Sequence, residues 1–204
     1  MKKIITMLIM LSIVLTFLSA CSGDDTSSSG NDTNQTICEQ LDVFADKSYK
    51  SVNLCVVTTT KDDKLQANYV LTQDSVSYSV ENLNTLPTNG DLTGISPEYK
   101  STYEGTAKIV GGKITELDGD DVSLPSYDEL KGNFNFDESN LTNVVVQGNK
   151  LTADAISPAS FLGSMVDAQD VKIEVEYTAS SLSKVTITYQ TAKSTVLIRY
   201  EFTI

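Results

Sequence analysis

The C-terminal stretch Val171–Ile204 reads VKIEVEYTASSLSKVTITYQTAKSTVLIRYEFTI. In three runs of this stretch, apolar residues occupy every second position and polar or charged residues stand between them. Because successive side chains of a strand point to opposite faces of a sheet, each run predicts a strand with one buried and one solvated face. The polar segments between the runs predict β-hairpins. The apolar positions are Val171, Ile173, Val175, Tyr177, Val185, Ile187, Tyr189, Val196, Ile198, Tyr200, Phe202 and Ile204.

The same alternation extends back through most of the chain. A further strand is predicted over Ser51–Thr60, because this segment is rich in β-branched residues. The sequence therefore predicts about eight or nine antiparallel strands. The apolar positions of the earlier strands include Leu65, Ala67, Tyr69, Leu71, Val76, Tyr78, Val80, Tyr103, Ala107, Ile109, Leu151, Ala153 and Ala155.

Helical periodicity is confined to short segments. An amphipathic helix is predicted over residues 37–48, and Thr36 followed by Glu39 fits a capping box at its start. The apolar face of this helix consists of Ile37, Leu41, Phe44 and Ala45. Two shorter helical pieces are predicted over Ser126–Lys131 and Pro158–Met165.

This amount of helix is small beside the apolar face of so many strands. The sheet is therefore expected either to split into a sandwich or to curl strongly around the first helix. We predict an α+β fold in residues 37–204, a single domain built mainly on an antiparallel, strongly curved sheet that forms a half-barrel.

Small residues at inward strand positions suggest unfilled space inside such a half-barrel. Gly105 and Ala107 would either let a helix come close or leave a hollow. Tyr99 and Tyr103 lie beside the turn at Pro97. We predict that Tyr99, Tyr103, Gly105 and Ala107 line a site for a hydrophobic or amphiphilic ligand.

Residues 1–20 have the layout of a secretory signal peptide, with a basic start, an apolar run and small residues at the end. The apolar run is shorter than the roughly 20 residues that span a bilayer. Leu18-Ser19-Ala20-Cys21 resembles the lipobox of bacterial lipoproteins. The resemblance implies cleavage before Cys21, lipid attachment to its thiol and an extracytoplasmic protein anchored in the cell membrane or the outer membrane.

The segment that follows the lipobox is entirely polar. Ser22–Thr36 contains no apolar residue, so residues 21–36 are predicted to form a disordered tether. A flexible chain of this length has an end-to-end distance of roughly 20 Å. Asp24 and Asp25 resemble the acidic surface-export signals of some Gram-negative lipoproteins.

The charge balance excludes several kinds of partner. The chain carries 15 basic and 27 acidic residues, for a net charge of −12. Removal of Lys2 and Lys3 with the leader would leave 13 basic residues and a net charge of −14. Such a protein is repelled by nucleic acid and by anionic lipid, so we predict no nucleic-acid partner.

Two cysteines remain once Cys21 carries the lipid. Outside the cytoplasm an even pair predicts a disulfide, here between Cys38 and Cys55. The bridge would join the first helix to the strand Ser51–Thr60 and stabilise the fold by about 3 kcal/mol in the chain-entropy model. A redox or zinc pair is disfavoured, because the chain has no CxxC spacing and no histidine.

An early helix followed by consecutive antiparallel strands, behind a lipoprotein leader, resembles the half-barrel lipid carriers of bacterial envelopes, the LolA-like group. The resemblance rests on the order of the elements. It implies a curved sheet around a groove for a lipid-like ligand. The chain departs from that group in having less helix to plug the groove.

No catalytic motif is present. Without histidine the chain cannot build a Ser-His-Asp or Cys-His arrangement, and it contains no GxSxG or P-loop pattern. We therefore predict that the protein is not an enzyme and holds no cofactor.

The densest acidic cluster, Asp118-Gly119-Asp120-Asp121, superficially resembles a calcium loop. Counted from Asp118, Val122 falls where an oxygen ligand is needed and Ser123 replaces the required glycine, which excludes an EF-hand. A looser calcium contact and a solvated turn before a capped helix both stay open, and we predict no metal site.

Two functions follow from these features. In the first, a non-enzymatic, membrane-anchored lipoprotein holds a hydrophobic or amphiphilic ligand in its curved sheet. In the second, the tethered domain binds an envelope protein or a glycan through its polar sheet face or its loops. The amount of empty space inside the domain distinguishes the two.

Overall fold

The computed structural model describes residues 30–61, 63–83, 102–120, 122–163 and 167–204. Residues 33–204 form one compact unit. The helices are α1 (Gly30–Ala45), α2 (Tyr127–Lys131) and α3 (Ala159–Leu162), with a 3-10 turn at Glu138–Asn140. The strands are β1 (Ser51–Thr60), β2 (Lys64–Thr72), β3 (Ser75–Asn82), β4 (Thr102–Val110), β5 (Lys113–Gly119), β6 (Leu141–Gln147), β7 (Lys150–Ala155), β8 (Gln169–Tyr177), β9 (Leu182–Gln190) and β10 (Ser194–Thr203).

All ten strands belong to one sheet with the order β5-β4-β3-β2-β1-β10-β9-β8-β7-β6. The chain enters the sheet at its centre in β1 and proceeds strand by strand to the edge at β5. It then crosses to the opposite edge at β6 and returns to the centre, where β10 pairs antiparallel with β1. The prediction of a mainly antiparallel sheet with few helices is confirmed, and the sheet is not closed.

Several element boundaries agree with the sequence pattern. The strand predicted over Ser51–Thr60 has those bounds in the structure, and α2 and α3 lie within the two predicted short helical pieces. Ser126 caps α2 with a capping box that includes Glu129.

The start of α1 differs from the prediction. The helix begins at Gly30 and not at residue 37, so the last part of the segment predicted to be a disordered tether is helical. Thr36 is an interior helical residue and not the predicted cap. The Gln35 amide donates to the Glu39 carboxylate at 3.1 Å, one turn later. Apolar periodicity cannot detect these turns, because residues 30–36 include no apolar residue.

The inner face of the sheet and the helices share one hydrophobic core. The inward side chains of the central strands are buried, and Leu41 of α1, Leu130 of α2 and Phe161 of α3 pack in the same cluster. The segment between α2 and the 3-10 turn adds Phe134 and Phe136. The helices and this crossover segment therefore cover the inner face.

Aromatic rings join the crossover segment to the centre of the sheet. The ring of Phe134 meets Tyr200 of β10 edge-on with centroids 5.0 Å apart. Phe136 lies 5.7 Å from Phe134 and 5.7 Å from Phe161 of α3. Such ring contacts contribute about 0.5–1.5 kcal/mol each beyond area burial. They anchor the crossover segment to the inner face.

The two edge strands are interrupted by bulges. Glu116 in β5 and Asn143 in β6 adopt the left-handed conformation, with φ of 49° and 53°. The register of each edge strand against its neighbour shifts at the same place. Bulges twist an edge and hinder further strands from pairing with it. The edges are therefore poor surfaces for binding another strand.

Tyr49 connects the end of α1 to the far half of the sheet. Its hydroxyl donates to the carbonyl of Phe44 in α1 at 2.8 Å and accepts from the backbone N–H of Leu182 in β9 at 3.0 Å. Its ring packs against that of Phe202, with the centroids 4.7 Å apart and the planes tilted by 48°. One side chain thereby fixes the helix end, β9 and β10 together.

Replacing Tyr49 with phenylalanine is expected to lower the free energy of unfolding by about 1–3 kcal/mol, because the buried Leu182 N–H loses its acceptor. Urea unfolding of the full chain in non-ionic detergent measures this. The matched control is Tyr69→Phe, at a buried tyrosine whose hydroxyl has no hydrogen bond to another described residue. Equal stability losses in both variants would contradict the proposed role of the Tyr49 hydroxyl.

Candidate interaction surface

The outer face of the sheet carries the polar residues of the alternating pattern. On β7 to β10 this face is charged, and its acidic and basic side chains pair with one another. Lys150 contacts Glu174 at 2.8 Å and Lys184 contacts Glu176 at 2.5 Å. The Nε atom of Arg199 lies 3.3 Å from Glu201. The charges of this half are therefore largely compensated locally.

The outer face of β1 to β4 is mixed: apolar Cys55 and Val57 and charged Glu81, Glu104 and Lys108 lie among neutral amides and hydroxyls. We call these six residues the amide–hydroxyl patch: Asn53, Gln66, Asn68, Ser77, Ser79 and Thr106. The strand register places Ser77 beside Thr106 and Asn68 beside Ser79. Asn53, Ser77 and Thr106 are exposed, and the others are half-buried. The patch presents many hydrogen-bonding groups without net charge.

Glu81 and Glu104 border the patch on β3 and β4. Glu81 stands opposite Gln66, and Glu104 stands opposite Ser79. The Ser79 hydroxyl donates to Glu81 at 3.4 Å. Inside this border a single exposed apolar side chain, Val70, is 41 % accessible.

The predicted disulfide is absent from the structure, where Cys38 and Cys55 both carry free thiols. Cys55 lies between the inward residues Leu54 and Val56 in β1, so its side chain projects from the outer face next to Asn68 and Arg199. Cys38 is buried in the core, which packs against the inner face. The sheet separates the two sulfur atoms, and a bridge would need one of them to change faces.

Neither thiol has the environment of a reactive cysteine. Burial, together with the nearby acidic residues Glu138 and Asp42, raises the pKa of Cys38 to about 11. The pKa of Cys55 is also raised, mainly by burial. Both are protonated at neutral pH, and only the thiolate is a good nucleophile.

The space beside Gly105, one of the residues predicted to line a ligand site, is occupied by a neighbouring side chain. Tyr78 on the neighbouring strand reaches across this glycine, and its hydroxyl donates to the carbonyl of Asp120 at 2.5 Å. A Cβ atom at Gly105 would lie 2.4 Å from the Tyr78 oxygen. The missing side chain of Gly105 therefore makes room for Tyr78.

Tyr103 and Ala107, two more of the predicted lining residues, lie on β4 two residues before and two residues after Gly105. Ala107 is buried in the core, and Tyr103 is 36 % exposed near the start of β4. Tyr99 lies outside the described residues.

Asp120 of the acidic cluster, and Glu129 beyond it, accept hydrogen bonds from backbone N–H groups. Asp120 accepts a hydrogen bond from the Glu104 N–H at 2.8 Å. Glu129 accepts from the Ser126 N–H at 2.8 Å and from its hydroxyl at 2.7 Å, which lowers the pKa of Glu129. Among the described residues, no group of three or more acidic or cysteine side chains is arranged to hold a metal ion.

Two surface pockets flank the start of β8. One, of about 530 Å³, is lined by Asp167, Ala168, Gln169, Thr191, Ala192 and Lys193. The second, of about 300 Å³, is lined by Asp154, Ala155, Ile156, Pro158, Asp170, Val171 and Lys172. Polar and charged side chains dominate the first lining, which suits water better than an apolar ligand.

The proposed anchor residue Cys21 lies outside the described residues. Within the described part of the chain, no helix has the length and apolar character needed to cross a bilayer.

Comparison with known proteins leaves the family open. No protein-family model matches the chain, and no curated protein matches it. A solved structure named "GphF Dehydratase 1" is similar over 83 % of both chains, with 5 % identity and a TM-score of 0.20. A score this low carries no argument about fold or activity.

Proposed function

We propose that the protein is a non-enzymatic lipoprotein of the cell envelope, tethered through Cys21, that binds a partner outside the cytoplasm through the outer face of its sheet. The observation that carries this proposal is the placement of the helices. Each of the three contributes a buried apolar side chain, Leu41, Leu130 or Phe161, to the core on the inner face. Most side chains on the outer face of the ten strands are polar, and many of them are exposed.

The interior supports an interaction module over a ligand carrier. Leu41, Leu130 and Phe136 are each 0 % exposed, and Tyr78 occupies the space beside Gly105. A lipid carrier needs an apolar hollow of several hundred cubic ångströms. The filled space at Gly105 supports the interaction module.

The proposal also covers the curvature of the sheet. We propose that the open sheet curls around α1 and the crossover segment as a half-barrel. A curled sheet would bury the wide inner face with the small amount of helix available, and it would turn the outer face toward solvent on the convex side.

The edges of the sheet are poorer candidates for the partner-binding surface than its outer face. The bulges at Glu116 and Asn143 hinder a partner strand from pairing with β5 or β6. A partner that avoids both edges can still contact side chains projecting from the central strands.

Site-specific photo-cross-linking in cells tests this function. A photoreactive amino acid at Ser77, which is exposed on the outer face, is expected to capture an envelope component. The control is the same amino acid at Asp128, exposed on α2 on the other side of the sheet. Identical capture from both positions, or none from Ser77, would disprove binding through the outer face.

A further inference from the structure

We propose that the smaller of the two pockets beside β8 binds a small zwitterion of the amino-acid type, which carries an ammonium group, a carboxylate and an apolar side chain. This inference goes beyond the proposed function and does not depend on it, because the pocket lies at the end of the sheet where β7 ends and β8 begins. The pocket has a volume of about 300 Å³. This volume is at the lower end of the range for ligand pockets, which suits a small molecule.

The pocket lies where the pairing of β7 with β8 stops. The last paired residues are Asp154 and Lys172. Beyond them β7 leads through Ile156 and Pro158 into α3, whereas β8 carries a bulge in which Asp170 is left-handed, with a φ of 52°. Both segments line the pocket, which therefore occupies the gap between them. Bulges redirect side chains in this way beside binding sites.

The lysine of this pocket differs from its neighbours on the sheet. Lys150 and Lys184 contact glutamates at 2.8 Å and 2.5 Å. Lys172 stands opposite Asp154, but it forms no ion pair within the described part of the chain. The Asp154 carboxylate accepts instead from the side-chain amide of Asn143 at 2.8 Å. The charge of Lys172 is therefore available to a ligand.

The signs of the lining charges select the class of ligand. The exposed carboxylate of Asp170 adds a second negative charge to that of Asp154. A simple anion meets two negative charges for one positive charge, in a chain whose net charge is −12. A simple amine leaves Lys172 without a partner. A molecule with both groups places its ammonium near the aspartates and its carboxylate near the lysine.

An apolar wall completes the pocket. Its remaining lining residues are Ala155, Ile156, Pro158 and Val171. The side chain of Ile156 is 59 % exposed, so a ligand can remove apolar surface from water by covering it. The larger pocket has no apolar lining residue bigger than alanine. The smaller pocket thus suits a zwitterion whose side chain is apolar.

An NMR titration of the isotope-labelled full chain in detergent tests the proposal. The probes are L-leucine, L-leucinamide, which lacks the carboxylate, and N-acetyl-L-leucine, which lacks the ammonium group. We expect leucine to bind with a Kd of about 1 mM or lower and each capped probe to bind about tenfold more weakly. The dipeptide leucyl-leucine separates the two sources of this chemistry, because the tighter of leucine and the dipeptide identifies a free amino acid or a short peptide.

Three variants locate the site. Lys172→Met removes the ammonium group and keeps a long side chain, while Lys193→Met makes the same change in the larger pocket. We expect the first to weaken leucine binding about tenfold and the second to change it less than about twofold. Asp170→Asn should also weaken binding about tenfold, and asparagine tolerates the left-handed backbone at this position. Thermal unfolding checks that all three variants are folded.

Each contrary result overturns the inference. Equal binding of leucine and either capped probe would show that one charge suffices. Leucine binding that survives Lys172→Met, or that is lost in Lys193→Met, places the ligand outside the smaller pocket. If neither leucine nor leucyl-leucine binds at concentrations up to about 10 mM, the pocket does not take this class of ligand. The cross-linking experiment at Ser77 is independent of all these outcomes.

Discussion

Replacing Phe136 with alanine is expected to lower the free energy of unfolding by about 3–5 kcal/mol, since it empties a fully buried aromatic site. The side chain is 0 % exposed and contacts the rings of Phe134 and Phe161. Its backbone N–H donates to the Asp42 carboxylate of α1 at 2.6 Å, so the residue also holds the crossover segment to the helix. Single domains have total stabilities of about 5–15 kcal/mol, so this loss is a large fraction.

Chemical unfolding of the full chain in detergent measures the effect. The control is Val110→Ala, at a β4 residue that is 64 % exposed, where we expect a change within about 0.5 kcal/mol. Phe136→Leu keeps part of the volume and is expected to lose less than the alanine variant. A loss below about 1 kcal/mol for Phe136→Ala would show that the crossover segment does not pack on the inner face as described.

Replacing Cys21 with alanine is expected to move the protein from the membrane fraction to the soluble fraction, or to leave an unprocessed precursor with its leader attached. Each buried methylene of an acyl chain contributes about 0.8 kcal/mol, so two or three chains hold a protein almost irreversibly. Alanine cannot accept a lipid, and the variant loses this entire contribution.

Ultracentrifugation of cell lysates and intact-mass measurement of the purified protein detect both outcomes. Cys38→Ala is the matched control, because it removes a thiol from the core and leaves the leader unchanged. That variant should remain in the membrane fraction with its acyl mass. If Cys21→Ala matures and fractionates as the parent does, the protein is not a lipoprotein anchored at this residue.

The residues that only the structure brought to notice lie outside the alternating pattern. Phe134 and Phe136 belong to a segment without regular periodicity, so their burial depends on the crossover from β5 to β6. Tyr49 follows the first helix, and its two hydrogen bonds join residues distant in sequence. Local patterns carry no information about such contacts.

The disulfide prediction failed for a related reason. Cysteine spacing and compartment indicate a pair, but pairing also requires both side chains on the same side of the sheet. In β1 the residues Leu54, Cys55, Val56 and Val57 are all apolar or nearly so. Alternation therefore leaves the phase of this strand undetermined, and pairing with β2 and β10 decides it.

The sequence alone determined most of the strands, the two faces of the alternating ones and the places of the short helices, because each depends on a pattern within a few neighbouring residues. The order of the strands, the meeting of β1 and β10 at the centre and the faces of β1 required the tertiary structure. These features depend on which distant segments become neighbours, and the burial of the whole inner face selects that arrangement.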